Sequence, residues 1–439
     1  MSSLVHAACL GLALLAVVAL TQWRRIPAAL AVVAGALVFA ATAGLSIGHM
    51  SKAFGTGFAQ TVQAVGLAVL AGALIGAIAE GTGGLDRLAK VAGRLSSGAR
   101  LRTLWILGLV AGAGSSPAVA FAVLGPLRRA LGGDAARPAA VLGTTMTAGH
   151  ALLLPSPVAI AAMAVLGADW VLMLTVGLPV AAVAAVAGGL WATSQAPWTD
   201  APSAASNRIP GGVAARTAPA LVAVSLILVA LLLVQGFGDL PTEPLGGGGV
   251  RERLLGLGRP LTLLAVGVGL MLLVAWRWDE AALSERGWLG QGLAAAALPL
   301  LLVGAAGGLQ TLNQQPGMAE LLAERLLEMP WGLVLPFAVA LTVKALQGSS
   351  LVAALTAAGM MEPLLAPLGF DGDTGRVLAA LAVGAGATAL SHVNDPHFWL
   401  VTSGGGMRPA TGLRAVSVGT LVQGLTALSA LHVAAAVLP

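Results

Sequence analysis

Charge is scarce in this chain: Asp, Glu, Lys and Arg make up 9% of its 439 residues, where a soluble domain carries about a quarter. Cysteine is scarcer still. Cys9 is the single one, which excludes a disulfide framework and a thiolate metal site. No His-Glu-x-x-His and no His/Cys cluster occurs, so nothing points to a bound metal or cofactor. The glycine run 246–249 follows no strand and precedes no Lys-Ser/Thr, and is read as a flexible external loop rather than a phosphate cradle. The first apolar run, Leu4 to Leu20, has no basic residue before it and Arg24-Arg25 after it. That reverses the charge order of a secretory signal, so the run is expected to be a retained span.

What the chain has in abundance is apolar sequence. Hydrophobic residues make up 57%, the mean hydropathy is +0.91, and runs near twenty residues recur throughout. These features define an all-α polytopic membrane protein. Fifty-nine glycines fit close helix packing and irregular backbone around a cavity. The net charge of +5 sits in short loops between spans, where it sets topology, so no nucleic-acid partner is implied.

Spans are expected at 4–21, 26–44 and 61–79. After a basic segment, residues 103–127 read as a re-entrant hairpin with its tip at Gly114-Ser115-Ser116, because each arm of about ten residues is too short to cross. Residues 138–168 form a span broken around His150 and Pro155-Ser156-Pro157, and 171–193 form another span. Residues 195–216 read as a cytoplasmic linker. The plan then repeats: spans at 217–235, 261–276 and 288–308, a charged segment at 318–330, a hairpin at 331–362 with its tip at Gly348-Ser349-Ser350, a broken span at 376–402, and a last span at 415–437. The Gly-Ser-Ser tips follow Gly84 and Gly317 at nearly equal spacing. Each half, 1–194 and 217–439, therefore counts five crossings including a broken helix, plus a re-entrant hairpin. An odd number makes the two repeats inverted.

Charge tests that topology. From Asp86 to Arg137 there are eight Lys/Arg against two Asp/Glu, and from Glu320 to Asp373 six Asp/Glu against Arg325 and Lys344. The positive-inside rule then places the first hairpin's loops in the cytoplasm and both termini outside. Trp23, Trp105, Trp170, Trp191, Trp276, Trp288 and Trp331 fall near expected span ends, as an interfacial belt requires.

Polar groups concentrate at the breaks. The richest stretch runs from Thr388 to Leu400 and carries Ser391, His392, Asn394, Asp395, Pro396 and His397 amid apolar sequence. Pro396 cannot continue a helix through Asp395, so an interrupted helix whose freed groups face a site is expected. Inverted repeats with broken helices are the construction of many secondary transporters. The candidate substrate-binding residues are Ser115, Ser116, His150, Gln347, Gly348, Ser349, Ser350, Ser391 and Asn394, with Thr145 and Thr147 nearby. Asp395, His392 and Lys344 are candidates for proton coupling. Four residues here have a blander alternative. Asp395 caps the following half-helix, Lys344 snorkels to the interface, and His150 and His397 hydrogen-bond a helix break. Gln310, Asn313, Gln314 and Gln315 are placed in a loop beyond a span, and Glu80 is read as an interface charge. An intramembrane hydrolase would rest on Ser391 and His392 alone.

On these residues the chain resembles the gluconate permease (gluconate:H⁺ symporter) family of bacterial inner-membrane carriers. The similarity is carried by Gln347-Gly348-Ser349 with Val352-Ala353 and Thr356-Ala357-Ala358-Gly359, and by Ser391-His392-Val393-Asn394-Asp395 with Phe398-Trp399-Leu400. Gly83-Gly84-Leu85 through Leu88-Ala89, and His150 through Pro157-Val158-Ala159, match more loosely. The resemblance implies a multi-pass inner-membrane protein that takes up a sugar acid with a proton and is not an enzyme. Departures at 114–117, 154–157 and 396–397 fall at the expected tips, so the substrate expected is gluconate or a related small hydroxycarboxylate. Sodium coupling is the alternative within transport, and a homodimer is left open.

Overall fold

A computed structural model describes residues 3–22, 26–132, 136–196, 211–278, 280–313 and 331–438. Among these residues every regular element is helical. The first half contains α1 (Ser3–Gln22), α2 (Ala28–Thr42), α3 (Ile47–Gly81), a short amphipathic α4 (Gly84–Ala92), a helical hairpin of α5 (Ser97–Gly114) and α6 (Pro117–Gly132), the two pieces α7 (Ala136–Leu152) and α8 (Pro157–Leu166), and the long α9 (Trp170–Gln195). The second half contains α10 (Gly211–Asp239), the bent pair α11 (Gly249–Leu257) and α12 (Pro260–Ala275), α13 (Trp288–Asn313), the hairpin of α14 (Val334–Gln347) and α15 (Ser350–Met361), the broken pair α16 (Asp373–Thr388) and α17 (Pro396–Gly404), and α18 (Pro409–Val437). Among the described residues six helical stretches, one of them α7 and α8 taken together, are long and apolar enough to cross a membrane, or seven with the bent pair at 59°. Hairpin, broken helix and long helix follow one another in both halves.

Several boundaries differ from the sequence expectation. The span expected at 61–79 is the second half of a 35-residue helix, with a π turn at Val62–Gly66. Its first half is polar enough to read as a loop, but Gly57 and Gly307 let α3 and α13 approach backbone to backbone, and that contact holds the segment helical. The arms of the first hairpin run to 18 and 16 residues instead of about ten, because the basic residues at their outer ends continue the helices. Gln310 and Asn313 end α13 rather than occupying a loop. Gly249 starts α11, and α10 begins at Gly211, inside the expected linker. The rest of the linker (197–210) and the charged segment expected at 318–330 lie outside the described residues, as do Gln314 and Gln315.

The expected interruptions are present, and each is closed by its own chemistry. Ser116, Ser156, Ser349 and Asp395 accept backbone N–H bonds from Val119, Ala159, Val352 and His397, at 3.3, 3.1, 3.3 and 2.9 Å. Such caps satisfy donors that a helix start leaves bare, a requirement that hydrocarbon makes strict. Pro117, Pro157 and Pro396 stand at the first positions of the following half-helices, where a missing N–H costs nothing.

Glycine brings the interrupted elements together. Gly112 of α5 seats against the Met146 carbonyl of α7, and Gly149 against the Leu109 carbonyl. The second half repeats the device, with Gly386 of α16 against the Phe337 carbonyl of α14. The two broken helices also touch. Gly384 lies against the Ala151 carbonyl, and Gly143 against Val401, so the chains pass each other in opposite directions. Two apolar cores result, and the unwound segment joins them: Ala389 belongs to one and Val393 to the other.

Candidate functional site

The centre of the site is a buried ion pair. Lys344, one turn before the end of α14, reaches the carboxylate at the start of α17: Lys344 Nζ to Asp395 Oδ2 is 2.7 Å, with side chains 1% and 11% exposed. Lys344 therefore does not snorkel. Its ammonium also donates to the Gly348 carbonyl at 2.6 Å, which the left-handed turn at Gly348 (φ 76°) directs back toward it. Asp395 does cap α17 through Oδ1, while Oδ2 receives both Lys344 and the Ser391 hydroxyl (2.6 Å). Capping and ion pairing thus coexist in one carboxylate, each through its own oxygen. Charges so far from water persist only with this density of compensating bonds.

Around the pair, the second hairpin's tip and the unwound segment are stitched together. His392 Nε2 lies 2.8 Å from the Ala345 carbonyl, which also receives the Asn394 amide at 3.0 Å. Asn394 reaches the Leu346 carbonyl as well, at 3.3 Å. Gly348 sits directly on the Asn394 carbonyl, leaving no room for a side chain. The Ser391 N–H donates to Thr420 Oγ1 of α18 at 3.0 Å, and the Trp399 indole to the Val393 carbonyl at 2.8 Å. The unwound backbone is thereby held from three sides.

The first half contributes less directly. The His150 ring lies against the Ser115 backbone and within electrostatic reach of Lys344, His397 and Asp395. His397 is not a bystander: its Nε2 lies 3.0 Å from the Gly143 carbonyl of α7 and ties the two broken helices together. Ser115, Ser116, Ser349 and Ser350 are half-buried, and the oxygens of Ser116 and Ser349 already serve as caps, leaving their hydroxyl protons to donate. Thr145 and Thr147 prove to be structural. Thr145 bonds back to the Val141 carbonyl at 2.9 Å and fills the space opposite Gly108, and Thr147 meets the Gln423 amide at 2.9 Å.

Among the described residues, four buried polar atoms in this region have no partner: His150 Nδ1, Gln347 Oε1, Asn394 Oδ1 and His397 Nδ1. A native interior leaves few such groups, and several in one region mark a place where a ligand or water completes the bonding. Two are amide oxygens, which accept from hydroxyls. Among the described residues no group of three or more His, Cys, Asp or Glu side chains converges as a metal would need. Ser391 faces Asp395 and His392 turns to Ala345, so the serine–histidine pairing of a hydrolase is not made. Sequence reasoning missed the carbonyls of Gly143, Ala345 and Gly348, which no residue type advertises. It also missed Thr420, one hydroxyl among many on an apolar helix.

The sequence also matches known proteins. The family model described as GntP family permease matches residues 4–437. The chain is 28% identical over 404 residues to a gluconate permease of Pseudomonas aeruginosa, covering 88% of this chain and 87% of that protein. It is 25% identical over 403 residues to a gluconate permease of Zymomonas mobilis, covering 87% of each. To the low-affinity gluconate transporter of Escherichia coli K12 it is 25% identical over 368 residues, 81% of this chain and 82% of that protein.

Proposed function

This chain belongs to the GntP permease family, and on that premise we propose that it carries gluconate or a related small hydroxycarboxylate across the bacterial inner membrane together with a proton. The observation that carries the reading is the Lys344–Asp395 pair, a buried cation and carboxylate held where a hairpin tip meets an unwound helix. When a proton neutralises Asp395, the pair dissolves and the Lys344 ammonium is free to take the substrate's carboxylate. The unpartnered oxygens of Gln347 and Asn394 receive the substrate's hydroxyls, joined by Ser115, Ser116, His150, Ser349 and Ser350. The N-termini of α6, α15 and α17 add a field that favours an anion. Return of the proton to the cytoplasm restores the ion pair and expels the substrate. His392, bonded to the Ala345 carbonyl beside the pair, is the second group through which a proton can pass.

The antiparallel passage of the two broken helices, with the same element order in both halves, supports two inverted repeats of five crossings each. The basic flanks of the first hairpin support cytoplasmic placement of its loops and external termini. The unwound segment at the boundary of two cores supports a hairpin-bearing unit that moves against a scaffold of flanking spans. Sodium coupling is the weaker reading, because the ammonium, bonded to Asp395 Oδ2 and Gly348 O, already holds the position a sodium ion would need. The test is uptake of labelled gluconate into proteoliposomes. A proton gradient without sodium should drive accumulation, and Asp395→Asn should abolish accumulation while preserving exchange. Accumulation set by a sodium gradient, or unchanged in Asp395→Asn, would refute the proposal.

A further inference from the structure

A cavity of about 610 Å³ opens beside the site, within the range of small-molecule clefts. Elements of both halves form it: α2, α3 and α6 from the first, α13 and α17 from the second. Its walls are mostly small and apolar, and its charged groups are Glu80, Arg128 and Arg129, two cations against one carboxylate. The Arg129–Glu80 pair spans 3.5 Å with side chains 26% and 45% exposed, a loose surface pair that a competing carboxylate can open. Gly76 gives the Arg129 guanidinium its berth, since any side chain at that position would collide with it. Arg128 is fixed more firmly: it is buried, donates to the Gly404 carbonyl at 2.9 Å, and lies 5.9 Å over the Phe121 ring.

Phe121 links this cavity to the buried site. One part of its ring faces Arg128, and it meets the His397 ring edge-on at 6.3 Å between centroids. The His397 N–H donates to Asp395. Contacts thus run from Arg128 at the cavity wall through the Phe121 ring to the His397 ring, and the backbone N–H of the same histidine holds the Asp395 carboxylate. The cavity is lined by the later turns of α3 and α6, which lead into the basic sequences that follow each helix.

Resting on the carrier reading above, we propose that this cavity is the cytoplasmic vestibule of the substrate path. Arg128 and Arg129 form a carboxylate-receiving site ahead of the buried one, and Phe121 is the gate between the two. A small organic anion leaving the buried site passes the displaced ring and exchanges the Lys344 ammonium for a guanidinium. An arginine fork matches a carboxylate, and two of them in a narrow mouth concentrate anions. Water beyond then competes for the anion and completes release.

Single cysteines at Ala77 and Ser403, in a Cys9→Ala background, test this on the full-length protein. Membrane-impermeant anionic and cationic methanethiosulfonates are applied to inside-out and right-side-out vesicles. Both cysteines should react from the cytoplasmic face, with the anionic reagent favoured. Arg129→Gln should cut the anionic-to-cationic rate ratio by about tenfold. Reaction from the external face, no reaction, or an unchanged ratio would overturn the vestibule. None of these readouts needs transport, so they stand apart from the uptake test of the carrier reading. For the gate, Phe121→Ala should let preloaded gluconate leak without a proton gradient, and Phe121→Leu should restore retention. Equal retention in a monodisperse Phe121→Ala protein would remove the ring from the gate.

Discussion

Replacing Lys344 by methionine isolates the energetics of the buried pair. The side chain is 1% exposed and bonded to Asp395 and Gly348, so its loss leaves a carboxylate in the membrane interior with only the Ser391 hydroxyl and the His397 N–H. Stranding one member of a buried ion pair costs about 3–5 kcal/mol. Removing both charges is different. In Lys344→Met with Asp395→Asn, the amide oxygen can still cap α17 while the amide nitrogen donates to the Ser391 hydroxyl, and a neutral pair of similar volume is often no less stable than the ion pair it replaces. The double variant should therefore recover most of the loss, giving a coupling energy of at least about 2 kcal/mol. Equilibrium unfolding in mild detergent, monitored by tryptophan fluorescence, measures all four proteins of the cycle. A single-variant cost below about 1 kcal/mol, as for a solvent-exposed pair, would refute the assignment.

Other substitutions probe the surroundings. Gly348→Ala combines a left-handed backbone with a collision against the Asn394 carbonyl and should cost about 3 kcal/mol or more, whereas Gly359→Ala, with open space around it in α15, should stabilise by about 0.5–1 kcal/mol; thermal unfolding compares them. Ser391→Ala removes one bond to Asp395 and should reduce the uptake rate without changing which gradient drives it; unaltered uptake would show that the hydroxyl is dispensable. Gluconate at about a hundred times its dissociation constant should stabilise the purified protein by about 2.7 kcal/mol, and the gain should vanish in Lys344→Met.

Sequence alone located the breaks at the two hairpin tips and in the two broken helices, because proline and clustered polar residues inside apolar runs are costly at membrane depth; it did not anticipate the bend between α11 and α12. Ser115-Ser116, Pro155-Ser156-Pro157, Gly348-Ser349 and Asn394-Asp395-Pro396 each mark a real interruption. It gave the neighbours of those breaks less well. Whether Lys344 turned inward or toward the interface was undecided, since both placements suit a lysine near the end of a membrane arm. The choice depends on Asp395, 51 residues away, and on a carbonyl that Gly348 aims by its backbone. Thr145 and Thr147 looked like site residues because composition cannot distinguish a hydroxyl facing a cavity from one bonded to its own helix. The polar half of α3 was hidden for the opposite reason: its helicity comes from packing on α13, a long-range contact without a local signature.

The most direct test of the account follows protons and substrate together. Proteoliposomes loaded with a pH-sensitive dye, in sodium-free buffer at equal pH on both sides, should acidify inside when gluconate is added outside. The Asp395→Asn protein should not acidify although it still exchanges labelled gluconate. Gluconate entry by the parent protein with no movement of protons would contradict the coupling assigned to Asp395 and Lys344.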